Sequence, residues 1–218
     1  KLLAEGHGKK KMKLAAKKNN VVAVTTPNLT FKIDRSTGLI SEYAYNGKSL
    51  LGEGGTLKPN FWRAPTDNDM GAGFQKKFKA WKNPQMNLKS IEVKKDKKTN
   101  SVTILTSFDM PEVQGQMDIT YVVFANTGAV KVTEDFKATE GAKVSDMFRF
   151  GMLMQMPYTM EKSNYYGRGP IENYSDRKDC MRIGVYTDDA DNQYFPYIRP
   201  QESGTKSDIR WWKQTDAT

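Results

Sequence analysis

The feature that most constrains the fold of this chain is an alternation of apolar and polar residues with a period of two. The alternation runs through residues 28–34, 101–110, 117–124, 129–138 and 147–156. Successive side chains of a β-strand point to opposite faces, so this period is typical of strands that are buried on one face. Turn clusters separate the segments, and Asn46-Gly47 is the clearest, because both residues accept the positive φ angles of a type I′ turn. The pattern predicts an all-β fold built from antiparallel sheets.

A helical period is found over residues 74–82, where Phe74, Phe78 and Trp81 recur at helical spacing before Pro84. It predicts one short helix. With 218 residues, 38% of them hydrophobic, the chain can bury a core as one large domain or two small ones. No apolar run approaches the ~18 residues that a membrane helix needs, so no membrane partner is expected. No secretory signal is recognised either, which favours a cytoplasmic location, or a periplasmic one if the full-length protein carries a signal peptide.

The net charge of +9 is concentrated near the start of the chain. Residues 1–20 hold seven lysines and one glutamate, so they carry +6 of it. A lysine-rich end is more often a solvated linker than a phosphate-binding arm. The sequence therefore predicts a basic linker or tail over residues 1–20, a β domain over residues 21–218, and no nucleic-acid partner.

The chain has one cysteine, Cys180, and one histidine, His7. A disulfide within the chain is therefore impossible, and a zinc site would lack the Cys and His ligands that it needs. A Ser-His-Asp or Cys-His arrangement would have to use His7, which lies in the basic tail between two glycines. The sequence predicts no metal site and no catalytic group of these classes.

The stretch FWRAPTDND, residues 61–69, raises the question whether Asp67 and Asp69 form a catalytic pair. In an extended segment, residues i and i+2 point to the same face, roughly 6.5–7 Å apart at Cα. Glycosidases use carboxyl pairs at comparable separations. Aspartates also accept backbone N–H bonds in turns, and the stretch lacks the ligand spacing of a calcium loop. Three interpretations stay open at this point: a structural loop, a ligand or cation contact, and catalysis.

A larger set of charged and aromatic residues lies near residue 62 and in the segments after residue 157. Aromatic rings stack on sugar rings, and planar arginine and carboxylate groups bind hydroxyls in pairs. The same residues are at least as well suited to hold long loops through Arg–Glu pairs. Gly167-Arg168-Gly169 is not a dinucleotide motif, because Glu172 stands where the third glycine belongs. The set comprises Glu172, Glu202, Arg63, Arg168, Arg199 and Arg210, with Trp62, Tyr165, Tyr166, Tyr197, Trp211 and Trp212.

Three motifs, FWRAPTDNDMG, YYGRGPIENYSDRK and PYIRPQESGTKSDIRWW, occur in this order, and FKIDRSTGLISEYAYNGKSLL precedes them. Together they resemble the C-terminal β domain of family 2 glycoside hydrolases of the lactose-cleaving β-galactosidase type, the β-galactosidase small-chain domain. The resemblance covers residues 22–212. It implies a galactose-mutarotase-like supersandwich of antiparallel sheets. It also implies that the catalytic carboxylates, and the magnesium and sodium ions, belong to an α/β-barrel that precedes this domain.

On this resemblance, the chain holds no catalytic residue and no metal ligand. The expected function is that of a non-catalytic part of a β-galactosidase, shaping the sugar pocket and subunit contacts of an enzyme that hydrolyses terminal β-D-galactosides such as lactose. The expected partners are the barrel and sandwich domains of a homo-oligomeric full enzyme and its β-galactoside substrate. The candidates for carbohydrate binding or pocket shaping are Arg63, Asp67, Asn68, Asp69, Glu172, Asn173, Glu202 and Arg210.

The sequence departs from the family pattern at its end. In the family the domain continues into a Gly-Asp-Asp-x-Trp-like stretch whose tryptophan lines the galactose site, whereas this chain stops shortly after Trp211 and Trp212. These two tryptophans match the motif that precedes that stretch and are not expected to replace it, so a C-terminally truncated sandwich is predicted. The alternatives are a free-standing carbohydrate-binding module and a mutarotase-like epimerase. The second would need a histidine with a glutamate, and His7 lies in the tail.

Overall fold

A computed structural model describes residues 6–16 and 20–216 of the chain. The chain divides into two compact units. The first comprises the described parts of Lys1–Trp62 and Phe78–Pro157, and the second comprises those of Arg63–Lys77 and Tyr158–Thr218. Within the described residues, none of the helices has the length and apolar character needed to cross a membrane.

The first unit begins with a five-stranded antiparallel meander in the order β1-β2-β3-β4-β5. The alternation over residues 28–34 forms β3, where Leu29, Phe31 and Ile33 are buried. The turn at Asn46-Gly47 has φ angles of 50° and 78°, as its sequence predicts. The strands are β1 (Lys13–Ala15), β2 (Val21–Thr25), β3 (Leu29–Asp34), β4 (Ile40–Tyr45) and β5 (Lys48–Ser49).

The strand β1 lies within the segment that the sequence predicts as a linker or tail. Its three residues pair with β2, from Lys13 opposite Thr25 to Ala15 opposite Ala23. Residues 1–5 and 17–19 of the same segment lie outside the described residues. The bounds predicted for the linker and for the domain after it stay a prediction.

A second antiparallel sheet of the first unit has the order β10-β9-β8-β7. Its strands are long, and their buried residues alternate as the sequence predicts, most regularly along β8 and β9. Residues 97–100 form the hairpin turn between β7 and β8. The strands are β7 (Asn87–Asp96), β8 (Ser101–Met110), β9 (Gly115–Phe124) and β10 (Val130–Ala138).

The buried faces of these two sheets share one apolar core. Phe31 of β3 lies with its ring centroid 6.0 Å from that of Tyr121 of β9, and both side chains are fully buried. Aligned face-to-face packing of two antiparallel sheets is the arrangement of a β-sandwich. The predicted all-β fold of antiparallel sheets is therefore confirmed.

One predicted strand is shorter in the structure than in the sequence pattern. The alternation over residues 147–156 predicts a long strand, but only β11 (Gly151–Met154) forms, paired with β6 (Leu57–Asn60) in a two-stranded sheet. The partner β6 is four residues long and contains Pro59, which has no N–H to donate to a ladder. Phe148 instead packs edge-on against the ring of Trp62, with 4.8 Å between centroids.

The second unit contains a three-stranded antiparallel sheet in the order β13-β12-β14, and two short helices. The helix predicted over residues 74–82 is wrong as one element. It stops after α2, because Phe78 has φ −99° and ψ 11°, and a separate 3-10 turn follows at Lys79–Trp81. The elements are α1 (Asp67–Gly71), α2 (Phe74–Lys77), β12 (Lys162–Gly169), β13 (Arg182–Asp189) and β14 (Trp211–Thr215).

Candidate functional site

The three sequence motifs supply most of the second unit, and their charged side chains meet in its loops. Residues 63–71 form α1 and the turn before it, residues 170–178 follow β12, and residues 190–210 connect β13 to β14. Few apolar side chains are buried here, so the loops depend on polar contacts. These contacts decide which of the predicted site residues lie together.

Arg63 and Asp69 form a two-pronged ion pair at the start of α1. Arg63 Nη1 and Nη2 donate to the two carboxylate oxygens of Asp69, the second at 3.1 Å. Asp69 also accepts from the backbone N–H of Thr66 at 2.8 Å, while Thr66 Oγ1 accepts from Asp69 N at 3.2 Å. This is a capping box, which satisfies N–H groups that a helix start leaves without partners. The local reason for the helix is therefore the spacing of Thr66 and Asp69.

Asp67 and Asp69 do not form a pair on one face of an extended segment. That geometry is wrong for these residues because they lie in the first turn of a helix. Asp67 binds Arg199 instead, with 3.2 Å between Oδ2 and Nη1, and its backbone N–H donates to the carbonyl of Pro200 at 2.9 Å. Asn68 is exposed in the same turn. The two aspartates thus hold two different arginines.

The pKa of Asp69 reflects two opposing influences. Burial of the carboxyl group raises it, and the hydrogen bonds from Arg63 and Thr66 together with the charge of Arg63 lower it by more. The net result is a pKa below the usual range of an aspartate, so Asp69 stays charged. A general acid of a glycosidase needs the opposite, a carboxyl group whose pKa is raised. Asp69 therefore has the properties of a structural carboxylate.

Glu172 is the centre of a second cluster. Its side chain is nearly buried, and its carboxylate accepts from Arg177 Nη2 at 3.0 Å, from Gly204 N at 2.8 Å and from the hydroxyl of Tyr197. Arg177 Nη2 also lies 3.0 Å from the Tyr197 hydroxyl. A carboxylate with several donors is held in one position and fixes its partners in turn. Glu172 thereby orients an arginine and a tyrosine.

Tyr174 connects this cluster to Glu202. Its hydroxyl donates to the Glu202 carbonyl, and Arg177 lies over its ring at 5.2 Å from the centroid. Burial, followed by the negative charge of Glu172, raises the pKa of Tyr174 above its usual range, so the hydroxyl keeps its proton. The Glu202 carboxylate lies 3.7 Å from Arg63 Nε. Glu202 is thus the residue through which the two clusters are joined.

Asn173 is fully buried, and both polar atoms of its side chain make hydrogen bonds. Its Nδ2 donates to the carbonyls of Arg168 and Ile171, both at 3.0 Å. Its Oδ1 accepts from the backbone N–H of Ser207 at 2.9 Å and from the Ser207 hydroxyl, and its own N–H donates to the carbonyl of Thr205 at 2.8 Å. A buried amide with this many partners binds two loops together. The side-chain amide of Asn173 is thus fully occupied by these loop contacts.

Arg210 belongs to a separate group. Its guanidinium donates to the carbonyl of Asp208 and lies over the Tyr166 ring at 5.7 Å from the centroid. The Asp208 carboxylate pairs with Nε of Arg168. Nη1 of the same arginine donates to the carbonyl of Met181 at 2.8 Å. The structure therefore brings seven of the eight candidate residues into or beside the two joined clusters and leaves Arg210 with Asp208.

Sequence reasoning missed a lysine–aspartate pair next to Glu172. The side chain of Lys206 is only 3% exposed, and its Nζ lies 3.6 Å from Asp188 Oδ2 and 5.9 Å from the centroid of the Tyr165 ring. Both charged residues line a cavity of about 540 Å³, together with Glu172 and Arg177. In the sequence, Lys206 is one of many lysines next to serines and glycines, and no local signal indicates that it is buried.

Among the residues that the structure describes, no group of three or more His, Cys, Asp or Glu side chains is placed to hold a metal ion. Instead, the three carboxylates Asp67, Asp69 and Glu172 are each paired with an arginine. Chemically, such an arrangement holds loops in fixed positions and presents the outward edges of its arginines and tyrosines to solvent or to a ligand.

The fold and these clusters define a β-sandwich domain whose long loops are held by ion pairs and hydrogen bonds. The chain belongs to the β-galactosidase small chain family, whose model matches residues 25–218. It is 31% identical over 190 residues to a β-galactosidase of Priestia megaterium, covering 87% of this chain and 18% of the relative. It is also 35% identical over 157 residues to a β-galactosidase of Lactobacillus delbrueckii subsp. bulgaricus, covering 72% of this chain and 15% of the relative.

A β-galactosidase of Kluyveromyces lactis is 28% identical over 199 residues, which cover 87% of this chain and 19% of the relative. The chain therefore spans less than a fifth of the length of the curated relatives that it matches here. The relatives are larger proteins of which this family forms one part. The family predicted from the three sequence motifs is confirmed.

Proposed function

We propose that this chain is a non-catalytic β-sandwich part of a β-galactosidase that hydrolyses terminal β-D-galactosides such as lactose. The observation that carries the proposal is the family match over residues 25–218, joined to relatives that are all β-galactosidases several times its length. The chain would contribute shape to the sugar pocket and contacts between subunits. The acid/base and nucleophile of a retaining double displacement would come from the rest of the enzyme.

The state of the loop carboxylates supports a structural role for this chain. A retaining glycosidase needs two carboxyl groups about 5–5.5 Å apart, one of them protonated at the start of the reaction. Here Asp69 is held by Arg63 with a lowered pKa, and Asp67 and Glu172 are each paired with another arginine. Substituting any of these carboxylates by a neutral side chain would leave the positive charge of its arginine without a partner. The proposal assigns them to loop architecture.

An exposed row of large side chains supports docking against the remainder of the enzyme. Tyr166 of β12 is directly opposite Val185 of β13 and Trp211 of β14, so the three side chains share one face of the sheet. Val185 is 66% exposed, and Tyr166 and Trp211 are also exposed. Contiguous exposed apolar patches mark interaction surfaces. The proposed occupant is another domain of the same enzyme, because the relatives are more than five times as long as their match.

The remaining expectations follow from the resemblance and are part of the same proposal. The magnesium and sodium ions of the full enzyme would be bound by its barrel domain. The full enzyme would be a homo-oligomer located in the cytoplasm. None of the candidate side chains in this chain is proposed to act on the glycosidic bond.

The proposal is tested by complementation. The purified 218-residue chain is assayed with a chromogenic β-galactoside, alone and after mixing with the separately expressed remainder of the β-galactosidase that contains it. We expect no turnover by the chain alone and turnover in the mixture. Turnover by the chain alone, well above background, would contradict the assignment of catalysis to the remainder. Failure of a folded chain to restore activity would contradict its role as part of the enzyme.

A further inference from the structure

The cavity next to Glu172 has the size of a small-molecule site. Its volume is about 540 Å³, within the range of about 300–1,000 Å³ that is usual for ligand pockets. The end of β13, the turn at Pro170 and the segment over Asn192–Tyr197 surround it, all within the second unit. Of the eight candidate residues predicted from the sequence, Glu172 alone lines this cavity. The proposed function assigns no role to the cavity.

Lys206 is the least expected residue in the cavity wall. Its side chain is 3% exposed, and among the described residues its ammonium group makes no hydrogen bond. Its acidic neighbour Asp188 is 3.6 Å away, and the face of Tyr165 lies on another side. The ammonium group of Lys206 has three N–H donors. The carboxylate of Asp188 occupies only part of this capacity, so a molecule in the cavity can accept from the others.

The charges of the cavity select the kind of molecule. Two cations, Lys206 and Arg177, are matched by two carboxylates, Asp188 and Glu172. An anion would meet as much repulsion as attraction, so a neutral polar ligand fits better. Lys206 needs an acceptor and Asp188 needs a donor on the same side of the cavity. Two neighbouring hydroxyl groups satisfy both at once, because a hydroxyl can donate and accept.

The outer wall of the cavity is aromatic. Tyr194 and Phe195 line it and are 73% and 57% exposed, which leaves their rings available at the rim. Phe195 packs against Tyr197, with 4.6 Å between ring centroids, and Tyr197 is fixed by its hydrogen bond to Glu172. Aromatic faces contact the C–H faces of sugar rings, while the polar groups bind their hydroxyls. The ring of Phe195 therefore packs on a fixed neighbour before any ligand arrives, which reduces the cost of binding.

We propose that this cavity binds a neutral saccharide unit, with Lys206 and Asp188 on two neighbouring hydroxyls and Tyr194 or Phe195 against the sugar ring. The site lies in the second unit of this chain and contains no catalytic group. The inference stands on the cavity itself and does not depend on the β-galactosidase assignment.

The test is a titration of the folded 218-residue chain, in which calorimetry and saturation-transfer NMR measure binding. The probes are methyl β-D-galactopyranoside, methyl β-D-glucopyranoside and lactose, with sorbitol as an acyclic polyol and sodium sulfate as an anion. We expect at least one of the glycosides to bind, and sorbitol and sulfate to bind more weakly. Lys206→Met keeps the stem against Tyr165 but removes the ammonium, and it should weaken binding about tenfold or more.

Matched variants separate loss of the site from loss of the fold. Lys213→Met makes the same substitution at an exposed lysine on β14 and should leave affinity unchanged. Tyr194→Ala and Phe195→Ala alter exposed rings, so they should weaken binding without changing the melting temperature. These two variants decide the matter if Lys206→Met does not fold. Equal affinity in Lys206→Met, or in both ring variants, would place any binding elsewhere and overturn the proposal.

Two further outcomes also count against it. A wild-type chain that is folded but binds none of the three glycosides would overturn the proposal. Sulfate binding that competes with the glycosides would show an anion site instead. Saccharide binding by a chain that fails to restore β-galactosidase activity would support this site and contradict the proposed function, so the two proposals fail separately.

Discussion

The two units of this chain are stabilised in different ways. Among residues 6–16 and 20–216, all but one of the buried hydrophobic residues lie in the first unit, and the exception is Tyr165. The second unit buries Asp69, Ser163, Glu172 and Asn173 instead. Apolar burial is non-directional and adds up over many contacts, whereas hydrogen bonds and ion pairs need particular partners in particular positions. The first unit should therefore be destabilised most by substitutions that remove or replace buried apolar side chains. The second unit should be destabilised most by substitutions that remove one partner of a hydrogen bond or an ion pair.

The distribution of unsatisfied polar atoms agrees with this contrast. Four buried side-chain atoms make no hydrogen bond among the described residues, and three of them, on Tyr121, Glu134 and Ser145, lie in the apolar first unit. The fourth, on Gln75, lies in the second unit. The polar unit thus satisfies nearly all of the polar groups that it buries. This is what makes its loops suitable for holding arginine and tyrosine side chains in fixed positions.

The largest expected effect is on the apolar core. Phe31→Ala removes a fully buried ring that lies beside Tyr43 and Tyr121, and it should lower the free energy of unfolding by about 3–5 kcal/mol. Phe150→Ala makes the same change at a position that is 49% exposed and should cost about 1 kcal/mol. Denaturant titration of both variants measures the difference. Equal losses would mean that the shared core is not what stabilises the first unit.

The corresponding change in the second unit is Asn173→Ala. It leaves the carbonyls of Arg168 and Ile171 and the N–H of Ser207 without their side-chain partner, which should cost about 2–3 kcal/mol. Hydrogen exchange should speed up in residues 168–173 and 203–208 and stay unchanged in β8 and β9. Asn164→Ala, which removes one bond to Thr187, serves as the control and should have a small effect. Uniform acceleration over both units would contradict the local character of this network.

A smaller effect separates the two aspartates of the opening motif. Asp69→Asn disrupts the capping box and the pair with Arg63 and should cost about 2 kcal/mol. Asp67→Asn loses a pair with Arg199, whose side chain is 74% exposed, and should cost less than about 1 kcal/mol. Thermal melts of both variants give the comparison. A larger loss in Asp67→Asn would reverse the roles that the contacts assign.

From its sequence, the stretch FWRAPTDND is expected to brace a loop of the sandwich, so Asp67→Asn should lower folding stability more than it lowers the kcat of a folded full-length enzyme. That division between stability and activity stays a prediction. The structure moves the larger share of the stability effect to Asp69, because burial and the capping box belong to that residue. In the full-length enzyme, a normal melting temperature with abolished activity in Asp69→Asn would refute a structural role.

The alternation of apolar residues was sufficient to predict β3, β8, β9 and β10, because period two is a local property of half-buried strands. It failed over residues 147–156, where the short partner β6 limits pairing, and no local pattern contains that information. Family motifs located the clusters around Asp69 and Glu172. They did not indicate that Lys206 is buried against Tyr165, since burial of a lysine depends on residues far apart in the sequence.

The smallest expected effect concerns a polar residue inside the apolar unit. Glu134 faces the core side of β10, diagonal to Tyr121, and its Oε1 makes no hydrogen bond among the described residues. Burial raises the pKa of Glu134 to about 7. Between about pH 4.5 and pH 7 the folded state therefore holds a proton that the unfolded state has lost, so stability falls as the pH rises through this range.

Glu134→Gln replaces the charge by a neutral amide of the same shape and should remove this loss. Each unit of pKa shift corresponds to about 1.4 kcal/mol, and partial exposure screens much of it, so we expect a gain of about 1 kcal/mol at pH 8 and almost none at pH 5. Melting temperatures at the two pH values measure it, with Asp135→Asn, on the outer face of the same strand, as the control. If Glu134→Gln destabilised the protein at pH 8, the charged carboxylate would have a favourable partner. The contrast between an apolar first unit and a polar second unit would then be weaker than the buried residues indicate.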